Sequence, residues 1–100
     1  MSLASLTDEL RRRTAESPPL GHTIKFDLGE EGIIHWDGTG EAAAVSNADA
    51  DAETVIRLSA EDFEQLMKGK LDPTVAFMLG KLKVEGKMGV AMKLSTFLGG

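Results

Sequence analysis

From residue 22 to residue 58 the apolar side chains fall largely on alternate positions, and past Ser59 they change to helical spacing. A period of two buries one face of a strand, and a period near 3.6 buries one stripe of a helix. The switch therefore calls for a sheet first and a helical layer after it, stacked on a shared core. In the alternating stretch, Ile24, Phe26 and Leu28 point one way and Thr23, Lys25 and Asp27 the other. Gly29-Glu30-Glu31-Gly32 is a hairpin loop signal. Residues 33–37 make a second strand, with Ile34 and Trp36 on one face and Ile33 and His35 on the other. Asp37-Gly38 is a turn dipeptide, residues 41–47 continue as a third strand despite their alanines, and residues 54–58 form a fourth. Short turns between such strands imply an antiparallel meander. Ahead of the sheet, Leu3, Leu6 and Leu10 stripe a helix over 3–14 that Pro18 and Pro19 end. The Arg11-Arg12-Arg13 run suits its exposed C-terminal turn.

Beyond Ser59 the spacing predicts three helices and one more strand. Ser59 caps a helix over 60–68, with Asp62 at the reciprocal capping position. Phe63, Leu66 and Met67 share its buried face, and Gly69 stops it. Asp72 followed by Pro73 is a second helix start. Residues 75–79 (VAFML) are apolar all round and need cover on most sides. Residues 81–85 alternate as a last strand, with Leu82 and Val84 inward. Gly86 breaks it, and a final helix runs over 87–98. At 100° per residue, the apolar arc of that helix spans roughly 220°. It runs through Met88, Met92, Ala91, Leu98, Leu94, Val90 and Phe97. A helix lying on a sheet needs an arc of only about 100°. The surplus must meet a partner subunit, a membrane, or an apolar ligand held between helix and sheet. Four of the five methionines stand at 67, 78, 88 and 92. Methionine suits surfaces that accept varied apolar shapes, and it also fills gaps in small cores.

A chain of 100 residues supports one modest core and not two ordinary domains, so 1–100 is read as a single unit. With 42% hydrophobic and 27% charged residues the composition is that of a globular chain. The absence of cysteine excludes disulfides, thiolate metal sites and a cysteine nucleophile. No apolar run approaches the roughly 18 residues of a membrane span. The opening MSLASLTDELRRR does not have the form of a secretory signal, so a cytoplasmic setting is expected. Charge is unevenly distributed. Residues 1–65 carry five basic and fourteen acidic side chains, whereas residues 66–100 carry six lysines against Asp72 and Glu85. The acidic part argues against nucleic acid as a partner. The lysine-rich last third suits transient contact with an anionic membrane or ligand, and it also suits plain solvation of a very apolar segment.

Several other chemistries fit poorly. Asn47, Asp49, Asp51 and Glu53 alternate like the ligands of a calcium loop. The sixth-position glycine is missing, however, and Leu58 stands at the acidic twelfth position. His22 and His35 are 13 residues apart with no acidic pair at ligand spacing, so no metal is expected. No Gly-x-Ser-x-Gly turn exists, and Gly38-Thr39-Gly40 does not continue as a dinucleotide fingerprint. No acid–base pair stands out. The chain is read as a non-enzyme without a cofactor.

The second half resembles the sterol carrier protein type-two family of sterol-binding, lipid-transfer domains. The resemblance rests on ETVIRLSAEDFEQLMKGKLDP, then TVAFMLGKLKVE, then GKMGVAMKLSTFL. It is most specific at Gly69-Lys70-Leu71-Asp72-Pro73, Phe77-Met78-Leu79-Gly80, Leu82-Lys83-Val84 and Gly86-Lys87-Met88. The first half matches only in its pattern of strands. The resemblance implies an α+β fold: a mostly antiparallel, five-stranded twisted sheet with helices packed on one face, enclosing an apolar tunnel. It further implies non-catalytic binding and transfer of fatty acids, fatty acyl-CoA or sterol-like molecules. Mapped onto this sequence, the tunnel wall would comprise Phe63, Leu66, Met67, Phe77, Met78, Met88, Met92, Leu94 and Phe97, with Ile34 and Trp36 from the sheet. Two departures count. The chain ends Phe97-Leu98-Gly99-Gly100 instead of in the Ser-Lys-Leu peroxisomal address of many eukaryotic members. Ser95 stands where some sterol binders carry glutamine, which favours a simple acyl chain. An empty tunnel of roughly 300 Å³ would cost about 7 kcal/mol, so the ligand-free form is expected to collapse partly or to carry lipid. Two other readings are a dimerisation or protein-interaction module that buries the apolar face of 88–98, and an accessory domain presenting lipid to an acyl-CoA enzyme. Oligomeric state is left open.

Overall fold

The alternating stretch folds into four strands, β1 (Thr23–Asp27), β2 (Ile33–Asp37), β3 (Ala44–Ser46) and β4 (Thr54–Arg57). A fifth, β5 (Lys83–Gly86), joins them from the helical part of the chain. The helices are α1 (Leu3–Thr14), α2 (Ala60–Met67), α3 (Pro73–Met78) and α4 (Met88–Leu98). The computed structural model describes residues 2–15 and 21–98, with side chains through residue 93. The stop expected at Pro18 and Pro19 lies outside the described residues.

Local chemistry places the helices. Ser59 Oγ accepts from the Asp62 N–H at 3.0 Å, and Asp72 Oδ1 accepts from the Thr74 and Val75 N–H groups at 2.8 and 3.2 Å. Each contact satisfies donors that a helix start leaves unpaired. Gly69, at φ 72°, turns the chain out of α2. The alanines of the third strand limit it to three residues.

The sheet runs in the order β3-β2-β1-β4-β5. All neighbours are antiparallel except β1 and β4, which are parallel. The expected four-strand meander is therefore corrected at one step. Residues 47–53 carry the chain from the β3 edge back to β1, and β4 pairs with β1 instead of with β3. Polar side chains hold this crossover. Asn47 Nδ2 donates to the Ile33 carbonyl at 2.9 Å, and His35 Nε2 donates to the Asp51 carbonyl at 3.0 Å. Lys25 Nζ meets Asp49 Oδ1 at 2.8 Å, and the Glu53 N–H donates to Thr23 Oγ1 at 2.9 Å. The alternation of Asp49, Asp51 and Glu53 thus belongs to a tether across the polar face of the sheet. The Asp49 carboxyl is held below its ordinary value by its hydrogen bond from Lys25.

The apolar face of the sheet meets the helices. Ile24 is opposite Trp36 and Phe26 is opposite Ile34. These four, with Leu6 and Leu10 of α1 and Phe63 of α2, are fully buried. The Phe26 and Phe63 rings stack at 4.9 Å with 17° between planes. Burying side chains of this size contributes about 1.5–3 kcal/mol each. Arg11 ties α1 to the sheet edge by donating to the Val45 carbonyl at 2.8 Å. Trp36 Nε1 is buried with no hydrogen-bond partner among the described residues. Gly38 is where the chain must pass the indole, since a Cβ there would stand 2.6 Å from the ring. Among the described residues, no helix is long and apolar enough to cross a membrane.

Candidate functional site

The helical layer does not close over the whole sheet. Between its β4–β5 side and helices α3 and α4 lies a cavity of about 250 Å³. Strand register builds its floor. Phe26 pairs with Ile56, and Ile56 with Val84, so one rung across β1, β4 and β5 presents three apolar side chains. Leu58 and Leu82 extend the floor, and Leu66 of α2 closes one side. Pro73, Thr74 and Phe77 come from α3, and Met88, Ala91 and Met92 from α4. Among the described residues, Thr74 is the only polar member of the wall. Phe77, Met88 and Met92 stand at an open rim, 45%, 41% and 64% exposed.

The α4 side of the wall hangs on a short hinge. Gly86 takes φ 103°, a left-handed conformation that favours glycine, and a Cβ there would collide with the Glu53 carbonyl. Thr54 is fully buried. Its hydroxyl accepts from the Lys87 N–H at 3.2 Å and donates to the Lys87 carbonyl at 3.3 Å. Glu53 reinforces the same corner. Its carboxylate accepts from His22 Nδ1 at 2.7 Å and stands 3.9 Å from Lys87 Nζ. The hydrogen bond with His22, helped by the Thr23 N–H and Lys87, holds the Glu53 carboxyl below its ordinary value against a smaller opposing effect of burial.

Of the residues assigned to the wall from sequence, Leu66, Phe77, Met88 and Met92 line the cavity. Phe63 is one layer behind it, stacked on Phe26. Ile34, Trp36 and Met67 are buried in the closed core and are not part of the wall. Met78 faces outward, 78% exposed, and does not reach the cavity. The side chains of Leu94 and Phe97 lie outside the described residues. Sequence reasoning missed Phe26, Ile56, Leu58, Leu82 and Val84 on the floor, and Pro73, Thr74 and Ala91 among the helices. The inward faces of these strands were legible as alternation. What was missing was strand order, and the resemblance offered only Ile34 and Trp36 from the sheet. The parallel pairing of β1 with β4 moves the open side to β5. Among the described residues, no three His, Asp or Glu side chains converge as a metal site would require.

Residues 5–99 match the family described as the SCP-2 sterol transfer family. Hydroxysteroid dehydrogenase-like protein 2 of Danio rerio is 38% identical over 78 residues, covering 74% of this chain and 19% of that protein. Sterol carrier protein 2 of Homo sapiens is 46% identical over 55 residues, covering 55% of this chain and 10% of that protein. The aligned part is thus a fifth or less of the length of either relative. Among solved structures, palmitated SCP2L2 from Aedes aegypti superposes with a TM-score of 0.73 at 18% identity, covering 98% of this chain and 95% of that one. At that identity the likeness is one of fold.

Proposed function

We propose that this chain, which belongs to the SCP-2 sterol transfer family, binds an acyl chain reversibly in the cavity beneath α3 and α4 and carries it without reacting with it. The observation that carries this reading is the apolar wall, open to solvent at a rim of Phe77, Met88 and Met92. Such a wall gains about 0.8 kcal/mol for each methylene it takes from water, before the cost of association. Among the described residues it offers no titratable group for acid–base or nucleophilic chemistry, since Thr74 is its one polar member there.

Size favours an acyl chain over a rigid polycycle. A dry cavity of about 150 Å³ accommodates benzene, so 250 Å³ accommodates roughly ten carbons by proportion. A flexible tail can fill that space and leave its polar head outside past Phe77 and Met92. A fused-ring sterol needs the helices to move apart first. The palmitated state named for the Aedes aegypti structure accords with an acyl ligand.

The match to part of a hydroxysteroid dehydrogenase-like protein favours a second reading, that of a module presenting acyl substrates to an attached enzyme. Both readings need the same cavity, so binding is tested first. Delipidated protein titrated with a fluorescent fatty acid should saturate at one site, and Ala91→Phe, which fills the wall, should lower the affinity at least tenfold. Equal affinity in the two proteins would refute the site.

A further inference from the structure

We infer that the outer face of α3 docks on an anionic lipid bilayer and brings the cavity rim to the membrane surface, a step that rests on the acyl-binding reading above. Val75, Met78 and Leu79, none of them part of the cavity wall, are 46%, 78% and 64% exposed. Together with the half-exposed Phe77, they put four large apolar side chains within two helical turns. Isolated exposed apolar residues need no explanation, but a cluster beside a cavity mouth marks a contact surface.

Charge identifies the partner. A six-residue helix is about 9 Å long, close to one Debye length at physiological ionic strength, and lysines bracket it at both ends. Lys70 follows α2, its N–H donating to the Gln65 carbonyl at 2.9 Å. Lys81 is folded back on α3, its N–H donating to the Ala76 carbonyl at 2.9 Å. Both side chains are exposed and have no ion-pair partner among the described residues. The one acid in this stretch, Asp72, is engaged in capping α3. Apolar side chains flanked by unpaired lysines match the acyl and phosphate layers of an anionic leaflet. The net acidic charge of residues 1–65 opposes an approach led by that part of the chain. With α3 seated, Phe77 belongs at once to the bilayer contact and to the cavity wall, so a tail can pass between them without crossing water.

The test is flotation of the 100-residue chain with vesicles of phosphatidylcholine alone and of phosphatidylcholine mixed with phosphatidylserine. Binding should require phosphatidylserine and fall with salt. Lys70→Gln combined with Lys81→Gln should weaken it about thirtyfold, at roughly 1 kcal/mol per lysine. Met78→Glu combined with Leu79→Glu should abolish it. None of these four residues lines the cavity, so affinity for the fluorescent fatty acid in vesicle-free buffer should stay within twofold in both variants. Failure to float with phosphatidylserine vesicles while the fatty acid still binds would overturn the docking proposal alone. Loss of fatty-acid binding in the wild-type chain would overturn the acyl-binding reading and the docking proposal with it. A dimer in sedimentation that Met78→Glu and Leu79→Glu disperse would assign the face to a second copy and overturn the proposal as well.

Discussion

The two sides of this sheet use similar side chains to opposite ends. Over β2 and β1, helices α1 and α2 place Leu6, Leu10 and Phe63 against Ile24, Ile34 and Trp36, and all six are fully buried. Over β4 and β5, Ile56 and Val84 face a cavity, and Phe77 of α3 and Met88 and Met92 of α4 stand partly in solvent. A closed cavity of 250 Å³ would cost about 6 kcal/mol at the slope seen for core truncations, a large share of the 5–15 kcal/mol typical of a domain. The rim lowers that cost by admitting water, and a ligand removes it. The closed side thus holds the fold together, and on the proposed reading the open side is left incomplete for a guest.

That contrast breaks most sharply under truncation. Leu10→Ala should destabilise the protein by about 2–5 kcal/mol in urea unfolding, because it hollows a fully buried contact. Met92→Ala, on the exposed rim, should change stability by no more than about 0.5 kcal/mol yet weaken the fatty acid. Equal costs at the two positions would remove the distinction. Ligand comes next in size. A fatty acid at a hundredfold excess over its Kd should add about 2.7 kcal/mol, raising Tm by roughly 10–20 °C for a domain of this length. Ala91→Phe should lose most of that rise.

How much of this was legible beforehand depended on which interactions are local. Capping at Ser59 and Asp72, the stop at Gly69 and the inward sets Ile24/Phe26 and Leu82/Val84 are written in short-range spacing, and each appears where that spacing predicts it. The parallel pairing of β1 with β4 depends on the crossover at 47–53, whose polar tethers to Thr23, Lys25, Ile33 and His35 join positions far apart in sequence. Alternation cannot report such partners. The wide apolar arc of α4 includes Met88 and Met92, which line the cavity, but it could not say which strands lie beneath. The resemblance offered Ile34 and Trp36 from the sheet, whereas Ile56 and Val84 line the cavity.

Two smaller effects probe the hinge between the sides. Gly86→Ala should cost more than about 1 kcal/mol, since the residue must hold φ 103° against the Glu53 carbonyl. A cost no greater than that of an exposed loop glycine would dissociate the hinge from the fold. The Glu53 carboxyl, held low mainly by His22, contributes stability that is present above its unfolded-state value and lost as pH falls through its lower folded value. Glu53→Gln should therefore flatten part of the decline in urea midpoint between about pH 5 and about pH 3. An unchanged decline would show that the ion pair has no energetic weight.

The methionines offer the most direct view of the central claim, because they sample both sides of the molecule. Met88 and Met92 line the cavity, Met67 is in the closed core, and Met78 faces outward. With methyl-labelled methionine and an isotopically distinct fatty acid, intermolecular NOEs should appear at the Met88 and Met92 methyls and be absent at Met67. NOEs to Met67, or unchanged Met88 and Met92 signals at saturation, would contradict a guest held beneath α3 and α4.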